Sequence, residues 1–201
     1  MSSALIVIGN PNPESFTHAL AGVVVETLRE RGLTVDVHDL YAEDFEPVAP
    51  SAEAFTVGME VEEAIAATAD PIIRAHRQAL SVADYLVIAH PNWWGKPPAI
   101  MAGWMDRVLV PGLAYRLDSR EGLPTPLLSL KSVLVLNTGD TPAHREYKAF
   151  GDPLDAIWRR CVGTYLQPAR VHRMLAGPLG GATDEQRDAW LAQARAMAQH
   201  I

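Results

Sequence analysis

Three stretches of the chain hold most of the side chains whose types and spacing could do chemistry. The first, Gly9-Asn10-Pro11-Asn12-Pro13-Glu14-Ser15-Phe16-Thr17-His18, leaves an apolar run and enters a helical pattern. Free backbone N–H groups at such a helix start, with the Ser15 and Thr17 hydroxyls, could converge on a phosphate or pyrophosphate. Ordinary capping by Ser15 explains the same spacing equally well. The second stretch, His90-Pro91-Asn92-Trp93-Trp94-Gly95-Lys96-Pro97-Pro98-Ala99, sets two adjacent tryptophans among prolines. Rigid, flat, apolar surface suits a planar cofactor, and the remaining amides are free for ring heteroatoms. Either tryptophan taken alone fits core packing as well. The third, Asn137-Thr138-Gly139-Asp140-Thr141-Pro142, runs on into Ala143-His144-Arg145-Glu146-Tyr147. Gly139 allows close backbone approach, Thr138 offers a hydroxyl and an amide, and Asp140 reads as an Asx turn.

These stretches need elements that bring them together. Short β-branched runs alternate with longer segments of helical period, the pattern of a parallel sheet with crossover helices on both faces. Strands are expected at Ala4–Ile8, Leu33–His38, Asp84–Ala89, Lys131–Asn137 and Ala169–Met174. Helices are expected at Glu14–Arg31, stopped by Gly32, at Pro71–Ala83, Pro98–Val110 and Gly151–Gly163, and after the capping start at Thr183. Tyr41 to Thr68 reads as a long excursion ending in helix. The fold class expected is α/β, a flavodoxin-like three-layer sandwich in one domain, with a five-stranded parallel sheet of order 2-1-3-4-5. In that arrangement the loops after the first, third and fourth strands meet beyond the carboxyl ends, where the winding reverses.

Composition narrows the function. With 201 residues, a net charge of −7 and 48% hydrophobic residues, the chain is long enough for one core and carries no broad positive field. Neither nucleic-acid binding nor membrane insertion is expected, and the apolar runs are strand-sized. Met1-Ser2-Ser3 passes directly into the first strand without a secretory leader, so a reducing cytoplasm is the expected setting. One cysteine, Cys161, excludes an internal disulfide and a multi-cysteine zinc site, and no metal site is expected. Cys161 falls on the stripe Leu154, Ile157, Trp158 and is expected to be a buried thiol. His172 and Arg173 are expected on a solvated edge, and Arg116 and Arg120 in solvent. No Walker loop, G-x-G-x-x-G turn, G-x-S-x-G elbow or H-E-x-x-H helix occurs, which leaves little for a hydrolase or a non-flavin binding domain.

The first stretch, then Asp39-Leu40-Tyr41-Ala42-Glu43-Asp44-Phe45-Glu46-Pro47, and above all Pro91 to Val108 with Pro111-Gly112-Leu113-Ala114-Tyr115 and Asn137-Thr138-Gly139, resemble the NAD(P)H dehydrogenase (quinone) family. The resemblance implies a bound flavin, FAD with FMN as the alternative. NADPH or NADH would be the electron donor, and quinone-like acceptors would be reduced by two electrons in a ping-pong cycle. It assigns Ser15, Phe16 and Thr17 to the flavin's phosphate end and Pro91, Asn92, Trp93, Trp94, Thr138 and Gly139 to its ring, and Asn10 and Asp140 are expected to bind the cofactor beside them. His144 and Tyr147 lie where the family's quinone-reductase branch has residues that stabilise the reduced flavin. A homodimer is also implied, with Trp104, Leu109 and Tyr115 expected at the surface. The alternative is a flavin-bearing regulatory or electron-transfer subunit of a membrane transport system. Asn10, Gly95 and Asp140 depart from the family pattern, so a wider and differently polar pocket is expected.

Overall fold

The structure is a computed structural model, and it describes residues 2–53, 60–117 and 123–201. Arg120 lies outside them. Apolar β-branched runs form β1 (Ser3–Ile8), β3 (Tyr85–Pro91) and β6 (Ser132–Thr138), all buried on both faces as a central parallel strand must be. The more polar β2 (Thr34–Asp39) and β7 (Arg170–Ala176) take the edges. The parallel sheet runs β2-β1-β3-β6-β7. Its numbering departs from the expected 2-1-3-4-5 because a short antiparallel pair, β4 (Tyr115–Leu117) with β5 (Pro124–Pro126), intervenes in the chain between β3 and β6.

Strand alternation sends Leu5 and Val7 to one face and Ala4, Ile6 and Ile8 to the other, giving two cores. On the second face lie α1 (Phe16–Glu30) and the C-terminal helix, which packs against it through Ala194 and Ala198. On the first lie α2 (Val61–Ala66), α3 (Pro71–Ser81) and α4 (Ala99–Val108). Asp70 caps α3 by accepting from Ile72 N at 2.9 Å, with Pro71 in the first turn as expected. The excursion before α2 is pinned by buried Arg107, which donates to Glu53 Oε1 at 2.7 Å and to the Glu46 carbonyl at 2.6 Å.

After β6 comes α5 (Ala143–Phe150), a helix outside those expected from the sequence, closed by Gly151 at φ +71. The expected helix of Gly151–Gly163 is α6 (Pro153–Asp155), a π-helical stretch Ala156–Val162 and α7 (Gly163–Tyr165). The wider π turn slips the helical phase, so Trp158 and Val162 are buried while Cys161 is exposed, correcting the expected buried thiol. Trp104 is fully buried rather than at the surface, because α4 turns that stripe into the first core. The last helix, α8 (Asp184–His200), starts at the Thr183 capping box as read. Among the described residues no helix is long and apolar enough to cross a membrane.

Candidate functional site at the carboxyl edge of the sheet

The register levels the three stretches. Ile8 pairs with Ala89, His90 with Asn137 and Pro91 with Thr138, so all emerge at one edge. In the first loop, Ser15 is the α1 N-cap, and its Oγ lies 2.9 Å from His18 Nδ1 while His18 Nε2 lies 2.9 Å from Asp39 Oδ2. With Nε2–H donated to the Asp39 carboxylate, Nδ1 accepts the Ser15 hydroxyl hydrogen. The Thr17 hydroxyl is occupied too, 2.9 Å from Thr138 Oγ1 and accepting from Asn10 Nδ2 at 3.0 Å. What remains for an anion is backbone: among the described residues, the N–H groups of Phe16 and Thr17 have no acceptor. The Phe16 ring faces away, edge-on to Trp190 of α8 at 5.8 Å. His18 and Asp39 join the site only in the fold, since it is the packed end of β2 that brings Asp39 to this loop.

The second loop reverses in a two-residue turn. Trp93 N donates to Lys96 O and Lys96 N to Trp93 O, both at 3.2 Å, with Trp94 at φ +59 and Gly95 at φ +72. Gly95 tolerates that conformation, and a Cβ there would come within 3.1 Å of Pro153 Cγ. A tryptophan does not tolerate it freely, and such strain persists where the surroundings impose it, often at functional sites. Trp94 is 97% exposed, so no packing in the monomer rewards it. Asn92 holds the turn, accepting from Gly95 N at 2.9 Å while its Nδ2 donates to Glu146 Oε1 at 3.0 Å. Pro91 is buried at the strand end.

A cavity of about 590 Å³ opens beside this turn, lined by Asn92, Trp94, Gly95, Thr141, Phe150 and Pro153. Asp140 and Glu146 complete it. In the third loop Gly139 N donates to Ala176 O at 3.1 Å, so the amides left without an acceptor among the described residues are those of Asp140 and Thr141. The Asp140 side chain accepts from Gly180 N at 2.8 Å, tying in the Gly177–Gly181 turn. Neither His144 nor Tyr147 lines the cavity; both are exposed, Tyr147 by 72%. The residue α5 turns inward is Glu146, 3% exposed. Its signal was the helical phase of α5, legible only once that helix is assigned.

A buried polar network adjoins the chain segments that line the cavity, at Pro91 before Asn92 and at Asp152 before Pro153. Trp158 Nε1 donates to His90 Nε2 at 2.9 Å and Asn137 Nδ2 lies 3.1 Å from the same nitrogen, so Nδ1 carries the hydrogen and gives it to Pro91 O at 2.8 Å. Burial, and next the Arg173 charge, push the His90 pKa down to about 4 against the opposing pull of the Pro91 carbonyl. Arg173 is not on a solvated edge. It is 5% exposed, donating from Nε to Asn137 Oδ1 and from Nη1 to Asp152 Oδ2, both at 2.7 Å. Asp152, at φ +47, caps α6 beside Pro153 and so fixes the wall that faces Gly95. His172 is exposed as expected.

Elsewhere, among the described residues, His38, Glu43 and His76 have ligand atoms within 4.8 Å of one another. Trp104 Nε1 donates to His76 Nδ1 at 3.0 Å, which leaves the His76 hydrogen on Nε2, pointed at Glu43 Oε2 at 2.7 Å. A metal needs a lone pair there, so the group is a hydrogen-bonded network as built.

A five-stranded parallel sheet with a phosphate-type turn and an aromatic corner at its switch point defines a flavodoxin-type α/β protein, and the model of the flavodoxin-like fold matches residues 2–198. The chain is 40% identical over 123 residues to mouse ribosyldihydronicotinamide dehydrogenase [quinone], covering 55% of this chain and 52% of that protein. It is 35% identical over 174 residues to the human protein of that name, covering 80% and 74%. Among solved structures, the NAD(P)H:quinone oxidoreductase from Methanothermobacter marburgensis superposes with a TM-score of 0.80 at 23% identity, over 99% and 98% of the two chains. The chain belongs to the NAD(P)H dehydrogenase (quinone) family of oxidoreductases.

Proposed function

We propose that this chain is a flavin-dependent NAD(P)H oxidoreductase that reduces quinones or similar small electrophilic acceptors by two electrons. The carrying observation is the strained, almost fully exposed Trp94 at the mouth of the carboxyl-edge cavity, a flat surface with no partner in the monomer. The residues present fit a flavin. The acceptor-less amides of Phe16 and Thr17 at the positive end of α1 suit its phosphate, and the Trp93–Trp94 turn with the amides of Asp140 and Thr141 suits its ring. When bound, the flavin supplies the redox step, taking hydride from a nicotinamide and passing it to an acceptor at the same face in a ping-pong cycle.

The chain's own contribution is position and field. Asn92 and Gly95 set the turn, Pro153 backs it, and the neutral His90 network keeps the Pro91 carbonyl fixed beneath it. Donor amides aimed at a developing negative charge act without reorganising, the largest effect open to a site of this kind. A homodimer is part of the proposal, since Trp94, Tyr147 and Phe150 expose apolar surface around the cavity. So is a reducing, cytoplasmic setting, which suits an exposed free Cys161.

The experiment is direct. The purified protein is expected to be yellow, to be bleached anaerobically by NADPH or NADH and to regain colour with a quinone; mass analysis of the released flavin decides FAD against FMN. A colourless protein that takes up neither flavin overturns the reading, and monomers in light scattering remove the dimer.

A further inference from the structure

Resting on the oxidoreductase reading above, we infer that Glu146, aided by Asp140, makes the cavity discriminate by charge, admitting neutral and cationic aromatic acceptors and rejecting anionic ones. Both charged residues lining the cavity are acids. Glu146 is nearly buried, and among the described residues its side chain accepts one hydrogen bond, from the neutral amide Asn92 Nδ2 at 3.0 Å. Asp140 is met by the backbone N–H of Gly180. Among the described residues, no lysine or arginine lies within ion-pair distance of either carboxylate. Arg145, next to Glu146 in α5, lies over the Phe150 ring at 5.7 Å instead.

The rest of the lining is largely apolar or aromatic, with Trp94, Phe150 and Pro153 among it. A carboxylate in such surroundings is screened far less than one on open surface, so its field reaches whatever enters. An aromatic ring with no charge gains the same stacking surface without the repulsion. The specificity therefore comes from a repulsive element in an otherwise permissive pocket.

The test uses the flavin-loaded protein in its oxidised form and three ligands of one scaffold: 2-methyl-1,4-naphthoquinone, its 3-sulfonamide and its 3-sulfonate. The sulfonamide matches the sulfonate in size but is neutral. Calorimetric titration is expected to give roughly tenfold weaker binding of the sulfonate than of the sulfonamide, a gap that added salt only partly closes. Glu146→Gln keeps an acceptor oxygen for Asn92 and is expected to narrow the gap at least threefold, with Asp140→Asn acting less because that side chain is exposed. Reoxidation of the photoreduced enzyme by the same pair is expected to show the same change in rate ratio. A wild-type gap under twofold, or one unmoved by Glu146→Gln, overturns the inference while leaving the oxidoreductase reading intact. Failure to retain flavin overturns that reading first. Should Glu146→Gln not fold, the wild-type gap and Asp140→Asn still decide.

Discussion

Two buried histidines on the first-core side of the sheet are each held by a tryptophan indole, yet they are built for different ends. Trp158 donates to His90 Nε2 at 2.9 Å, and Trp104 donates to His76 Nδ1 at 3.0 Å. The opposite nitrogens then meet different partners. His90 gives its hydrogen to a carbonyl and lies near the Arg173 guanidinium, so nothing at hand supports a second proton. His76 faces the Glu43 carboxylate, which opposes the lowering of its pKa by burial and by His38, whose ring stacks at 3.9 Å. The first arrangement fixes one protonation state at the strand end that leads into Asn92. The second ties β2 to α3 and α4 at a place where a partly exposed carboxylate can adjust.

The largest effect expected from this contrast is on His90→Leu. It strands the Trp158 N–H and takes the hydrogen-bond donor from the Pro91 carbonyl in a buried site, while Asn137 Nδ2 keeps the His90 backbone carbonyl at 3.2 Å, and each orphaned group costs about 1–3 kcal/mol. A loss of about 4 kcal/mol in urea unfolding is expected. His76→Leu is expected to cost less, about 2 kcal/mol, because only the Trp104 N–H is trapped and Glu43, 30% exposed, recovers solvation. Equal losses would break the distinction.

Acid sharpens the same contrast. In the folded chain His90 titrates at about 4, against 6.5 for the ordinary side chain. Between those values the unfolded chain binds the extra proton and the folded one does not. Stability is therefore full above pH 6.5 and falls as pH drops towards 4. At about 1.4 kcal/mol per pH unit the loss approaches 3 kcal/mol, and His76, lowered in the same direction, adds to it. Unfolding midpoints measured from pH 7.5 to 4.5 are expected to trace this slope and to flatten in His90→Gln. A smaller change, about 1 kcal/mol, is expected for Glu43→Gln, which replaces the charged acceptor of the His76 N–H by a neutral one.

None of this network was legible in the sequence, although the sheet that carries it was. The strand runs announce themselves by unbroken apolar residues, and Gly32, Pro71 and Thr183 mark helix ends by local chemistry that needs no tertiary context. The excursion read over Tyr41 to Thr68 does end in helix, at α2, but α5 and the π turn did not announce themselves, because their phases are set by what they pack against. Arg173 shows why: in a sequence an arginine after His172 on an edge strand looks solvated, and only Asp152, folded back from another loop, makes burial tolerable. The loops at the site were found because glycine, proline and tryptophan types restrict backbone and surface. The inward acid, Glu146, is hidden in the sequence for the same reason as α5, while His144 and Tyr147, pointed to by the family resemblance, face solvent.

Trp94 supplies the counterpart to the two buried indoles, a tryptophan with neither histidine nor core. Holding a non-glycine residue at φ +59 costs about 1–2 kcal/mol. Replacing it with glycine removes that strain and adds about 0.5–1 kcal/mol of unfolded-state entropy to be lost on folding. The exposed ring forfeits almost no burial. Trp94→Gly is therefore expected to leave the flavin-free protein unchanged or up to about 1 kcal/mol more stable, while flavin affinity falls, measured by unfolding and by fluorescence titration in parallel. Opposite signs for the two readouts would mean the strain is retained for binding. A stability loss above about 1 kcal/mol would instead mean that the indole is covered in solution, and repeating the unfolding across a hundredfold range of protein concentration would show whether a second copy covers it.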